Sequence, residues 1–79
     1  MTDQRTLREV FAESLDISPE FEAGTVRLYE TPGWDSMGHM SLMIAIEDEY
    51  GIELDADRIV RITTYDLAVE ELRELGCAP

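Results

Sequence analysis

Apolar residues open the chain at a helical spacing. Leu7, Val10, Phe11 and Leu15 fall at i, i+3, i+4 and i+8, with Arg5, Arg8, Glu9 and Glu13 between them. This predicts an amphipathic helix from about Asp3 to Leu15, capped by Thr2 or Asp3. Ser18-Pro19-Glu20 follows as a turn or a single helical turn. Residues 16 to 35 read as a long connection, broken by Gly24, Pro32 and Gly33. Ile17, Phe21, Val26, Leu28 and Tyr29 are spaced along it as anchors to a core. The longest apolar segment then runs from Ser36 to Tyr50 and ends at Gly51, a natural left-handed cap. Ile52-Glu53-Leu54 is a short extended link. Asp55 caps a short third helix through Val60, and Thr63-Thr64 cap a last one through Leu67, Val69, Leu72 and Leu75, closed by Gly76. No strand pattern or repeat emerges. The expected fold is all-α, three main helices plus a short third one, with a long first loop.

The second helix carries two apolar faces. At roughly 100° per residue, Leu42, Met43, Ile46 and Tyr50 share one side and should face the core. Met37, Met40 and Ile44 lie nearly opposite, flanked by Glu47 and Asp48. A helix packed on one side has no need of that second stripe. Either the long loop covers it, or it is an adaptable docking surface of the kind methionine suits. An intermediate arrangement would cover Ile44 and leave Met37 and Met40 open.

Composition narrows the setting. Seventy-nine residues with 44% hydrophobic content suit one small folded domain spanning 1–79. The net charge is −12, from eighteen acidic residues and six basic ones, all arginine. Such a balance repels nucleic acid and anionic membranes, and it favours steered encounter with basic partner surfaces. The first residues lack the blocks of a signal peptide, and the run from Leu42 to Ile46 is too short to span a bilayer. Cys77 alone forms no internal disulfide. The setting expected from these features is a cytoplasmic monomer.

Most catalytic constellations are missing. His39 is the only histidine, which rules out paired-histidine metal motifs, and Cys77 sits near the end of the chain. The acidic segment from Glu47 to Asp57 fails the spacing of a calcium loop. No metal site and no activity of the chain's own is expected. A hydrolase built on Ser36 would lack a base partner. Ser36 remains at a loop-to-helix junction where the first-turn N–H groups point outward, a prepared anion site. Taken alone, Asp35-Ser36 is an ordinary helix cap.

The string Trp34-Asp35-Ser36-Met37, followed by a helix ending Ile46-Glu47-Asp48-Glu49-Tyr50-Gly51-Ile52, closely resembles the acyl carrier protein family. The likeness extends over nearly the whole chain in length, acidity and helix order. It implies a four-helix bundle in which Ser36 carries 4′-phosphopantetheine, donated from coenzyme A by a phosphopantetheinyl transferase. By the same resemblance, Asp35 helps the transferase engage its magnesium ion and the serine. Met37, Met40, Ile44, Glu47 and Asp48 occupy the positions where that family docks partner enzymes. Met37 departs mildly from the usual leucine. Gly38 in the first helical turn should loosen it by roughly 0.5–1 kcal/mol relative to alanine. Trp34 reads as an anchor for the loop end, and His39 as a packing or hydrogen-bonding residue.

The function implied is that of a stand-alone acyl carrier, holding thioesters for fatty-acid, polyketide or other specialised biosynthesis. Its partners would be the transferase, an activating ligase, and ketosynthase- or acyltransferase-type enzymes with basic docking surfaces. An aminoacyl or peptidyl carrier loaded by an adenylating ligase is the alternative within the class. A helical adaptor that is never modified and binds through the Met37-Met40-Ile44 stripe is the alternative outside it.

Overall fold

Each helix begins where a side-chain oxygen takes up a backbone N–H that the helix itself cannot satisfy. The computed structural model describes residues 5–79. Helix α1 spans Leu7–Leu15, α2 Ser36–Tyr50, α3 Ala56–Arg61 and α4 Tyr65–Glu74, with one 3-10 turn at Ala23–Thr25. The architecture is an all-α bundle with a short third helix. The only extended pairing among the described residues is an isolated antiparallel bridge between Arg27 and Thr64.

The expected caps of the first helix, Thr2 and Asp3, lie outside the described residues. Thr6 caps the helix instead, through a reciprocal capping box. Its Oγ1 accepts the Glu9 N–H at 3.2 Å while the Glu9 carboxylate accepts the Thr6 N–H at 2.9 Å. The Thr-x-x-Glu pattern was present in the sequence but masked by polar residues further upstream. The remaining ends agree with expectation. Asp55 and Thr64 cap α3 and α4, and α2 closes on Gly51 at φ +64°.

Leu42, Met43 and Ile46 of α2 are buried and face α1, which contributes Leu7, Val10, Phe11 and Leu15. Tyr50, one turn beyond Ile46, is half-buried. Ala68 and Leu72 of α4 and Ile62 after α3 complete the core. Phe11 is the aromatic hub. Its ring meets Trp34 edge-on at 5.3 Å and Tyr65 edge-on at 5.1 Å, joining α1, the loop end and α4. Ser18 to Phe21 forms a turn, with the Phe21 N–H donating to the Ser18 carbonyl. Arg8 then fastens the loop, donating to the Pro19 and Phe21 carbonyls while its guanidinium lies over the Phe21 ring.

The long connection returns to the bundle through the link between α3 and α4. Leu28 N–H donates to the Thr63 carbonyl at 2.9 Å, and Tyr65 N–H donates to the Val26 carbonyl at 3.3 Å. Val26 is buried, while Ile17, Phe21 and Leu28 are half-covered as anchors. Tyr29 departs from that expectation: it is 70% exposed and does not join the core. The turn around it closes on itself before the chain reaches the core.

Two arginine–carboxylate groups tie the helices electrostatically. Arg5 engages Glu49 of α2 and Glu13 of α1. Arg61 and Arg58 converge from α3 on Glu71 of α4, which is buried. Hydrogen bonds from Arg61, with Arg58 beside it, hold the Glu71 carboxyl below the usual carboxylate range, against the opposing effect of burial. The folded chain therefore binds that proton less tightly than the unfolded chain does. The resulting stability is present above the ordinary carboxylate value and is lost as the pH falls below it. We expect Glu71→Gln to lower stability at neutral pH and to flatten the acid limb between about pH 5 and pH 3. Denaturant unfolding across that range, on both chains, measures the difference.

Candidate functional site

The junction between loop and α2 is built from the inside outward. Trp34 is fully buried, and an indole of its size contributes about 4–6 kcal/mol of transfer free energy there. Its N–H donates to Nδ1 of His39 at 2.9 Å. With Nδ1 accepting, the imidazole proton lies on Nε2, which donates to the Ile59 carbonyl of α3 at 2.8 Å. Trp34 and His39 therefore have the anchoring and hydrogen-bonding roles expected of them, and they serve them together.

The next layer is the first turn of α2. Asp35 is the N-cap, and its Oδ1 accepts the Gly38 N–H at 2.9 Å. The Asp35 carbonyl accepts the His39 N–H at 2.7 Å. Ser36 is the first helical residue, so its hydroxyl plays no part in the cap. That hydroxyl is exposed, and the N–H groups of Ser36 and Met37 beside it have no partner within the helix.

Gly38 turns out to be a requirement of this corner rather than a weak point. A β-carbon at that position would stand 2.0 Å from the Gly33 carbonyl oxygen. Gly33 itself adopts φ +85°, and that turn brings the chain hard against the helix start. The flexibility cost expected for Gly38 is real for an open helix, but here alanine has no room. The residue is set by a close backbone approach.

Outside the helix start lies the second apolar face. Met37 is 82% exposed, Met40 50% and Ile44 53%. The loop does not cover this stripe, and Ile44 is as open as Met40. Asp48 is exposed beside it, but Glu47 is half-buried. The Glu47 carboxylate accepts the Leu54 N–H at 2.7 Å and so clamps the link between α2 and α3. Of the five residues expected to dock partners, four stand on the open face and Glu47 has a structural duty as well.

One contact at the junction escaped the sequence. The Tyr29 hydroxyl lies 2.7 Å from Ser36 Oγ, so two exposed hydroxyls share one hydrogen bond. Nothing in a pattern of apolar and polar residues points to a pair seven positions apart across a turn. An exposed hydroxyl beside unclaimed helix N–H groups and a second hydroxyl donor suits a phosphate ester.

The family model described as "Phosphopantetheine attachment site" matches residues 5–72. An acyl carrier protein of Phenylobacterium zucineum (strain HLK1) is 31% identical over 68 residues, covering 86% of this chain and 86% of its own. No solved structure matches the chain significantly. The chain belongs to the acyl carrier protein family, and its cofactor is covalently attached 4′-phosphopantetheine. Among the described residues, no helix is long and apolar enough to cross a membrane.

The division between cap and hydroxyl is measurable. Asp35→Ala should cost about 0.5–2 kcal/mol of stability, the usual value of an N-cap. Ser36→Ala should stay within about 0.5 kcal/mol of the parent, because the serine is exposed and caps nothing. Urea unfolding of the two variants compares them directly.

Proposed function

We propose that Ser36 is the attachment residue and that the chain acts as a carrier of acyl thioesters. The observation that carries this reading is the exposed Ser36 hydroxyl on the first turn of α2, inside the stretch matched by the phosphopantetheine family model. In the arming reaction, Ser36 Oγ forms a bond to the pantetheine-side phosphorus of coenzyme A. The serine proton passes to a base of the transferase. The bond from that phosphorus to the bridging oxygen breaks, and adenosine 3′,5′-bisphosphate leaves with the electron pair. Asp35 would help the transferase place its magnesium ion, while its Oδ1 accepts the Gly38 N–H.

The armed chain would carry acyl intermediates of fatty-acid, polyketide or specialised biosynthesis on the thiol that arrives with the cofactor. It contributes no catalytic group of its own. Partner enzymes with basic surfaces would land on the open face of α2, where Met37, Met40 and Ile44 supply adaptable apolar contact. Asp48 supplies charge at the rim, with Glu47 behind it.

Incubation with coenzyme A, magnesium and a broad-specificity transferase should raise the intact mass by one phosphopantetheine. Ser36→Ala should abolish the gain, and a wild-type chain that stays unmodified would refute the proposal. A second experiment addresses docking. Asp48→Lys should slow association with the transferase several-fold and flatten its dependence on salt, with stability unchanged. Asp48 is the informative position, because reversing Glu47 would also release the Leu54 N–H.

A further inference from the structure

Tyr29 is a large aromatic residue that the fold holds at the surface in an unfavourable backbone conformation. Its φ is +68°, in the left-handed region that disfavours a side chain. It is 70% exposed, so burial of the ring does not account for the placement. The surrounding hydrogen bonds over-determine it. The Tyr29 N–H donates to the Trp34 carbonyl at 2.7 Å, and the N–H groups of Glu30 and Thr31 both donate to the Arg27 carbonyl. On the other side, Leu28 N–H is held by Thr63 and Arg27 bridges to Thr64. The backbone of the buried Trp34 thus holds one side of the turn, and Thr63 and Thr64 hold the other. The phenol leaves that turn aimed at one atom, Ser36 Oγ, at 2.7 Å.

Before arming, either hydroxyl can donate in that pair. After Ser36 is esterified, its oxygen carries no proton, and the phenol is the only donor left of the two. The phosphodiester formed on that oxygen would offer charged nonbridging oxygens as acceptors, and hydrogen bonds to such oxygens are the stronger kind. We propose that Tyr29 is a positioning residue for the arm. Its hydroxyl holds Ser36 Oγ in one rotamer for transfer, and it then donates to the phosphodiester and fixes the root of the arm against the loop. This rests on Ser36 being the attachment residue.

Tyr29→Phe in the full chain keeps the ring and removes only the donor. The thermal midpoint of the unmodified variant should match the parent. Its arming rate should fall about tenfold, mainly in kcat, as expected for loss of one aligned hydrogen bond. The phosphorus NMR signal of the armed variant should move from the wild-type position toward that of a freely solvated phosphodiester. Tyr29→Gly relieves the backbone and should be at least as stable as the parent, yet show the same two losses. An unchanged arming rate or an unchanged phosphorus signal in Tyr29→Phe overturns the role assigned to Tyr29. A wild-type chain that gains no arm at Ser36 overturns the attachment reading instead, so the two failures are distinct.

Discussion

Burying the Trp34 indole beneath the start of α2 forces its single N–H to find an acceptor inside the protein, and His39 Nδ1 supplies one at 2.9 Å. The choice fixes the imidazole tautomer, and the remaining proton reaches the Ile59 carbonyl. That carbonyl lies in the last turn of α3, where a helix leaves its C=O groups without internal partners. One chain of hydrogen bonds therefore joins the loop end, the central helix and the short helix. Removing His39 would leave a buried donor at Trp34 and an unpaired carbonyl at Ile59, so this link is costly to break. The position of Ser36, two residues from Trp34 and three from His39, follows from it.

The charge distribution obeys a similar economy. The chain has six arginines, and four of them are committed internally. Arg5 binds Glu49 and Glu13, Arg58 and Arg61 share Glu71, and Arg8 serves the Pro19 and Phe21 carbonyls. Little positive charge is left to offset eighteen acidic residues. The acidic surface follows from eighteen acidic residues against six arginines, and it gives a cationic surface a field to follow. Glu47 marks the boundary between the two uses, since the same carboxylate borders the open face and holds the link to α3.

The junction keeps closely packed parts behind and exposed parts in front. Gly33, Gly38 and Trp34 pack the backbone so closely that one added methyl group has no room. Ser36 and Met37 stand outside this layer and remain free to meet a second protein. Under the proposed function, this separation would let the hydroxyl be modified and the stripe be contacted while the core stays in place. Strain at Tyr29 fits the same division, because a left-handed non-glycine residue persists only where its neighbours impose it.

Much of this was legible along the chain because it depends on near neighbours. The limits of α2, its Gly51 cap, the caps at Asp55 and Thr64, and the two apolar faces all follow from spacing within a few residues. The place of Ser36 at the start of α2 was equally readable, given Trp34-Asp35-Ser36-Met37 ahead of an apolar helix. Tertiary closure decided what depends on distant partners. It opened the Met37-Met40-Ile44 stripe, because the loop turns back to Thr63 and Thr64 instead of crossing it. It made Gly38 obligatory through the Gly33 carbonyl, gave Glu47 to Leu54, and set the Tyr29 phenol against Ser36. Periodicity reports which face of a helix is apolar. It carries no record of where a loop closes, and that closure assigned the second roles of these residues.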